Sequence, residues 1–143
     1  MSKKKVLVAM SGGVDSSAAA ALLVQQGYDC DGAMLKLAPN EDSRCCSADD
    51  AEDARQAATR LGMRFYVFNE IDRFRRCVMD RFTAEYAAGR TPNPCIDCNR
   101  ELKFGALLDR ALTLGYDYIA TGHYARVAYD AESSRYRLLR GAE

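Results

Sequence analysis

The sequence predicts an α/β fold: a doubly wound parallel sheet with helices on both faces and a short β-hairpin at the end. Three observations predict it. Short apolar runs alternate with helix-length segments of 3.6-residue periodicity, the pattern of successive strand–helix–strand units. The helix-length segments stop at glycines, Gly27, Gly62, Gly89 and Gly115. The 143 residues, 48% apolar and 28% charged, have the length and composition of one globular domain, which buries roughly 70% of the surface of its unfolded chain.

Residues 5–10 are an apolar run punctuated by Gly12 and Gly13, a buried parallel strand. Residues 16–26 carry four alanines and two leucines, a helix whose small side chains let it lie close to a sheet. A second strand spans 32–37 and a polar loop follows over 38–46. Ser47 caps the next helix with Asp50 as its capping-box partner, and Ala51, Ala54, Ala58 and Leu61 mark the buried face. Residues 65–68 are the third strand. Phe74, Val78, Phe82 and Tyr86 predict a third helix. Pro92 and Pro94 make 90–94 a stiff extended turn, after which Asn99 is the expected cap of a fourth helix. Phe104, Leu107, Leu108 and Ala111 are its expected apolar face, 118–121 the fourth strand, and 127–129 with 136–139 a terminal hairpin.

Twenty Lys and Arg balance twenty Asp and Glu. No bulk field gathers nucleic acid or an anionic membrane, so any RNA contact rests on a local patch. The longest apolar run, 18–24, falls far short of the roughly 20 residues of a membrane helix. The apolar stretch behind Lys3, Lys4 and Lys5 breaks at Ser11, too early for an export signal. A cytoplasmic chain without a membrane anchor is expected, with its six cysteines (Cys30, Cys45, Cys46, Cys77, Cys95 and Cys98) reduced.

In an open parallel sheet, ligands bind beyond the carboxyl ends of the strands. Ser11-Gly12-Gly13-Val14-Asp15-Ser16, Leu35, residues 91–99 and Thr121-Gly122-His123 fall there. Paired glycines let a backbone turn sharply and aim its N–H groups at an anion, in front of the positive end of a helix: a phosphate cradle. The plainer alternative is a glycine turn with Asp15 as N-cap. No Gly-Lys-Ser/Thr follows, so the loop is not a Walker A motif. Cys98 precedes the expected cap Asn99, where helix amides favour a thiolate; a buried small hydrophobe is its other reading. Cys95 and Cys98 form one C-x-x-C, without the companion pair of a zinc site.

His123, the only histidine, reads as a structural residue at a strand end. Cys45 and Cys46 read as loop thiols, and Cys30 and Cys77 as core. Asp49, Asp50, Glu52 and Asp53 match the dipole of a helix's first turn. Arg73, Arg75, Arg76 and Arg81 form a mixed surface with Asp72 and Asp80. Arg90, Arg100 and Lys103, flanking the cysteines, are the better candidates for phosphate contacts.

Ser-Gly-Gly-Val-Asp-Ser behind a first strand resembles the PP-loop of the N-type ATP pyrophosphatases, which cleave ATP between its α- and β-phosphates. Gly89-Arg-Thr-Pro-Asn-Pro94, Cys98-Asn99, Leu102-Lys103-Phe104 and Ala120-Thr-Gly-His-Tyr124 follow in order. With them the chain, over essentially its whole length, resembles the tRNA-specific 2-thiouridylases (the MnmA/TrmU family). The resemblance implies a PP-loop adenylation domain over 1–143 of the adenine nucleotide alpha hydrolase-like type. It implies ATP, with Mg2+, held by Ala9, Met10, Ser11, Gly12, Gly13, Val14, Asp15, Ser16, Leu35 and Gly122. Cys98 falls on the thiol nucleophile, and Asn93, Pro94 and Cys95 on the segment that contacts the target base; many members carry aspartate where Cys95 stands.

The activity so implied is ATP-dependent 2-thiolation of a tRNA wobble uridine, with a cysteine desulfurase or another persulfide carrier as sulfur donor. Related tRNA thiolases hold a 4Fe–4S cluster on three cysteines, which makes Cys95 and Cys98 candidate cluster ligands as well. The family continues into a further tRNA-binding region, a second catalytic cysteine and a C-terminal β-barrel, so residues 1–143 are not expected to complete the cycle alone. Two other readings stay open: another PP-loop ligase or amidotransferase, such as an NAD or GMP synthetase, and a metal or iron–sulfur module built on Cys95 and Cys98. The first shares the adenylation half but does not ask for an Asn-Pro-Cys-x-x-Cys-Asn loop.

Overall fold

The computed structural model describes residues 2–39 and 47–142. Strands β1 (Lys5–Ala9), β2 (Asp29–Lys36), β3 (Phe65–Asn69) and β4 (Tyr118–Ala120) pair in parallel in the order β3-β2-β1-β4. Side chains alternate across a strand, so β1 sends Leu7 to one face and Val6 and Val8 to the other. On the first face Leu7, Ala33 and Leu35 pack with Val78, Leu102, Ala106 and Leu107, which come from two continuous helical runs, α3 (71–87) and α4 (94–113). On the second, Val6, Val8, Met10, Cys30 and Met34 pack with Ala20 of α1 (Val14–Gln25) and with Ala54 and Ala58 of α2 (Ala48–Arg60). Helices cover both faces, as the sequence predicts. The core-facing residues of α1 and α2 are small, so these helices lie close to the strands.

The predicted capping box forms. The Asp50 N–H donates to Ser47 Oγ and the Ser47 N–H to Asp50 Oδ2, both at 3.1 Å. The terminal hairpin forms too, as β5 (Ala125–Asp130) against β6 (Arg135–Arg140) in a separate two-stranded sheet.

Other expectations are corrected. Helix α4 begins at Pro94, not after Asn99. Proline suits the first helical position because the N–H it lacks has no intrahelical partner there, and Asn93 caps it by accepting the Cys95 N–H at 3.2 Å. Asn99 lies inside the helix. Phe104 and Leu108 are exposed, while Leu102 and Ala106 join Leu107 and Ala111 in the core. The cause is a π-helical stretch, Asn99–Ala106, whose wider turn rotates the buried face relative to a 3.6-residue repeat. A second such stretch, Arg75–Met79, interrupts α3, where Val78 is buried and Tyr86 exposed. Helix α1 starts at Val14 with Gly13 as its cap, so Asp15 lies in the first turn and does not cap it. Strand β2 starts earlier than expected, at Asp29. Cys45, Cys46 and most of the expected 38–46 loop lie outside the described residues.

Strand β2 also carries a buried carboxylate the hydrophobic pattern did not reveal. Asp31 accepts the Arg64 N–H at 2.9 Å, the Arg64 guanidinium at 2.8 Å and the Tyr116 hydroxyl at 2.5 Å. These bonds tie together the segments entering β3 and β4. Burial disfavours the Asp31 carboxylate, but the hydrogen bonds from Arg64 and Tyr116 and the Arg64 charge outweigh it and hold its pKa below the usual value. Burial and the bond to Asp31 push the Tyr116 phenol up.

A depressed carboxyl stabilises the fold above its unfolded pKa of about 3.9, and that contribution is lost as pH falls through the lower folded value. Tyr116→Phe is therefore expected to cost about 1–3 kcal/mol at pH 7, measured by urea unfolding. The difference from wild type shrinks when the comparison is repeated below the folded Asp31 value. An undiminished difference there would show that the lost hydroxyl acts independently of Asp31.

Candidate active site

Connections reverse direction at β1: β2 and β3 lie to one side and β4 to the other. The loops leaving β1 and β4 part there and leave a crevice at the carboxyl ends of the strands. A cavity of about 280 Å3 occupies it. Of the positions expected to hold a nucleotide, Ala9, Met10, Ser11, Asp15, Ser16, Leu35 and Gly122 line this cavity, whereas Gly12, Gly13 and Val14 complete the loop without lining it.

The loop's shape requires glycine at two points. Gly12 has φ +82°, and a Cβ on it would stand 2.5 Å from the Asp50 carbonyl oxygen of α2. A Cβ on Gly122 would stand 2.9 Å from the Ser16 nitrogen, so the loop after β4 rests directly on the start of α1. Buried Ser16 closes the turn: its Oγ accepts the Ser11 N–H at 3.1 Å. Ser17 Oγ donates to the Gly13 carbonyl at 2.9 Å. The first amides of α1 have no carbonyl within the helix to bond, which suits them to an anion.

Asp15 Oδ1 accepts a hydrogen bond from the Tyr124 hydroxyl at 2.9 Å. That bond and the Asp15 charge push the Tyr124 phenol up. His123 lines the cavity, with Nδ1 2.8 Å from Thr121 Oγ1 and its ring centroid 5.3 Å from that of Phe104. This ring contact gives Phe104 a place outside the core. Lys103 and Leu107 bring α4 into the cavity wall. Lys103, expected from the sequence as a candidate for phosphate contacts beside the cysteines, was not among the positions expected to hold the nucleotide, yet it lines the cavity.

Cys95 and Cys98 lie three residues apart in the first turn of α4, on one side of the helix. Cys95 is exposed, and Cys98 is half-buried against the Leu7 cluster. The terminal amides of α4 belong to its first turn from Pro94 onward, so Cys98 does not stand ahead of the helix as expected. Asp97 pins the turn by pairing with Arg81 of α3 at 3.1 Å and Arg100 of α4 at 2.9 Å. Arg90 pairs with Glu85, so among Arg90, Arg100 and Lys103 only Lys103 lines the cavity. Cys98 stands within roughly 8 Å of Lys103 along the helix axis.

Cys30 is core, its thiol pushed up by burial and by Asp29 and Asp31, and Cys77 packs against the same cluster as Cys98. Among the described residues no group of three His, Cys, Asp or Glu side chains is placed to hold a metal ion.

The family described as "tRNA methyl transferase HUP domain" matches residues 4–143. The tRNA-specific 2-thiouridylase MnmA of Cutibacterium acnes is 57% identical over 140 residues, covering 93% of this chain and 38% of that protein. Its counterpart in Acetivibrio thermocellus is 52% identical over 145 residues, covering 96% of this chain and 40% of that protein. The chain thus spans about two fifths of the length of these curated relatives.

Two solved structures share the fold. One is the glutamine-dependent NAD+ synthetase of Acinetobacter baumannii in complex with ADP, with TM-score 0.60 and 19% identity, covering 84% of this chain and 22% of that one. The other is the U34-tRNA thiolase NcsA of Methanococcus maripaludis with its 4Fe–4S cluster, with TM-score 0.56 and 21% identity, covering 84% of this chain and 38% of that one.

Exposure predicts the order of thiol labelling. Under iodoacetamide at neutral pH, followed by peptide mass spectrometry, Cys95 should react several-fold faster than Cys98, the reverse of the order expected from a cap at Asn99. Faster labelling of Cys98 would contradict its half-buried position against the Leu7 cluster.

Proposed function

The chain belongs to the tRNA methyl transferase HUP domain family, alongside the tRNA-specific 2-thiouridylases, and from that membership we propose that it binds magnesium ATP and adenylates the C2 oxygen of a tRNA wobble uridine for replacement by sulfur. One observation carries the reading: Ala9, Met10, Ser11, Asp15, Ser16, Leu35 and Gly122, from three separate stretches of the sequence, meet at a single crevice. They are the positions the resemblance assigns to ATP.

The chemistry accounts for the residue types. The C2 oxygen of uridine is a poor leaving group. Its attack on the α-phosphorus of ATP breaks the bond to the bridging oxygen, releases pyrophosphate and leaves AMP on C2 as a good one. The amides and dipole at the start of α1 hold the phosphates, Lys103 adds positive charge, and Met34, Leu35 and Leu37 offer the adenine an apolar wall. Asp15, an exposed carboxylate with one hydrogen-bond partner among the described residues, fits Mg2+, whose charge would offset that of the phosphates.

Sulfur reaches Cys98 as a persulfide from a cysteine desulfurase or another carrier. Its terminal sulfur attacks C2, the C2–O bond breaks and AMP departs; a second thiol then cleaves the S–S bond, leaving sulfur on the base and a disulfide behind. Asn93, Pro94 and Cys95, at the start of α4, contact the target base. A 4Fe–4S cluster does not fit the described residues, which offer two thiols on one turn and no third ligand, so no step runs through one. The cytoplasm, where tRNA, ATP and reduced thiols meet, is the proposed location.

Calorimetry with magnesium ATP, paired with pyrophosphate release in the presence of unmodified tRNA, tests the proposal. Binding is expected in wild type, at least tenfold weaker binding in Asp15→Asn with unchanged circular dichroism, and unchanged binding and pyrophosphate release in Cys98→Ser, whose thiol acts only after adenylation. A wild-type chain that binds no ATP would sink the proposal.

A further inference from the structure

The bond between Tyr124 and Asp15 joins residues 109 positions apart. Tyr124 is 77% exposed, so packing around its ring does not dictate where the phenol points. The backbone on either side fixes where its Cβ stands. Two residues before it, Gly122 lies against the Ser16 nitrogen, and on its other side a Cβ on Gly141, just past β6, would stand 3.2 Å from Tyr124 Cβ. Tyr124 is thus the junction between the hairpin and the phosphate-binding loop. Its hydroxyl engages Asp15 through Oδ1, and Asp15 Oδ2 has no partner among the described residues.

We propose that Tyr124 is a positioning residue for nucleotide binding: its phenol holds the Asp15 carboxylate in one rotamer and leaves Oδ2 for the magnesium ion that accompanies the phosphates. The inference rests on the nucleotide reading of the crevice and adds a residue to it. A free aspartate would have to be immobilised when the ligand binds, and a carboxylate already held by Tyr124 avoids most of that entropy loss.

Calorimetry on wild type, Tyr124→Phe, Asp15→Asn and the double variant, with magnesium ATP and with AMP in chelator, tests the role. Tyr124→Phe is expected to weaken magnesium ATP binding by about three- to tenfold, to leave AMP binding within about twofold, and to add nothing to the loss caused by Asp15→Asn.

Unchanged or tighter magnesium ATP binding in Tyr124→Phe, equal losses for both ligands, or additivity with Asp15→Asn would each overturn the positioning role while the nucleotide site stands. Failure of the wild-type chain to bind either nucleotide would instead overturn the reading of the crevice, and this inference with it.

Discussion

Strand β1 carries a parallel neighbour on each edge, and the reversal of connections there places the rest of the site. A strand enclosed in this way must bury both faces, which is why Val6, Leu7 and Val8 form an unbroken apolar run. Its carboxyl end is also where loops from both halves of the sheet approach without covering one another. Into that gap the chain sets the start of α1, with Gly12 against the backbone of α2 and Gly122 against Ser16. These are contacts between main chains. They leave little room for side chains, and the amides at the start of α1 are held in place before any ligand arrives.

The cysteine turn is held by different means. Helix α4 starts on Pro94, widens into π-geometry directly after Cys98, and is anchored to α3 through Asp97 and Arg81. Asn99 Oδ1 is buried there without a hydrogen-bond partner among the described residues, a deficit of about 1–3 kcal/mol. Unsatisfied polar groups and π-turns concentrate where function, rather than stability, shaped the backbone. Because α4 contributes Lys103 and Leu107 to the cavity wall, one rigid element carries both the thiols and part of the crevice.

The parts of this arrangement legible in the sequence are those with local causes. The apolar run of β1, the Ser47–Asp50 box and the glycine loop are each specified within a few residues. The helix face at Leu102 and Ala106 was not legible, because reading periodicity assumes 3.6 residues per turn and the π-stretch departs from it. Asn93 and Asn99 are equally able to cap a helix, and Pro92 and Pro94, on either side of Asn93, suggested extended chain, although Pro94 is well suited to open one. The Tyr124–Asp15 bond and the Asp31–Tyr116 bond span 109 and 85 positions; no local pattern encodes either. Lys103 reaches the crevice only because α4 crosses the sheet face at that point.

The central claim is that the crevice between β1 and β4 is the nucleotide site. Amide hydrogen exchange with and without magnesium ATP tests it most directly, because it locates the ligand without requiring turnover. Added protection is expected over residues 11–16, 35–37 and 121–123. Protection at the polar cavity beyond β3, around Glu70, Arg73 and Arg110, with none in the glycine loop, would contradict the account.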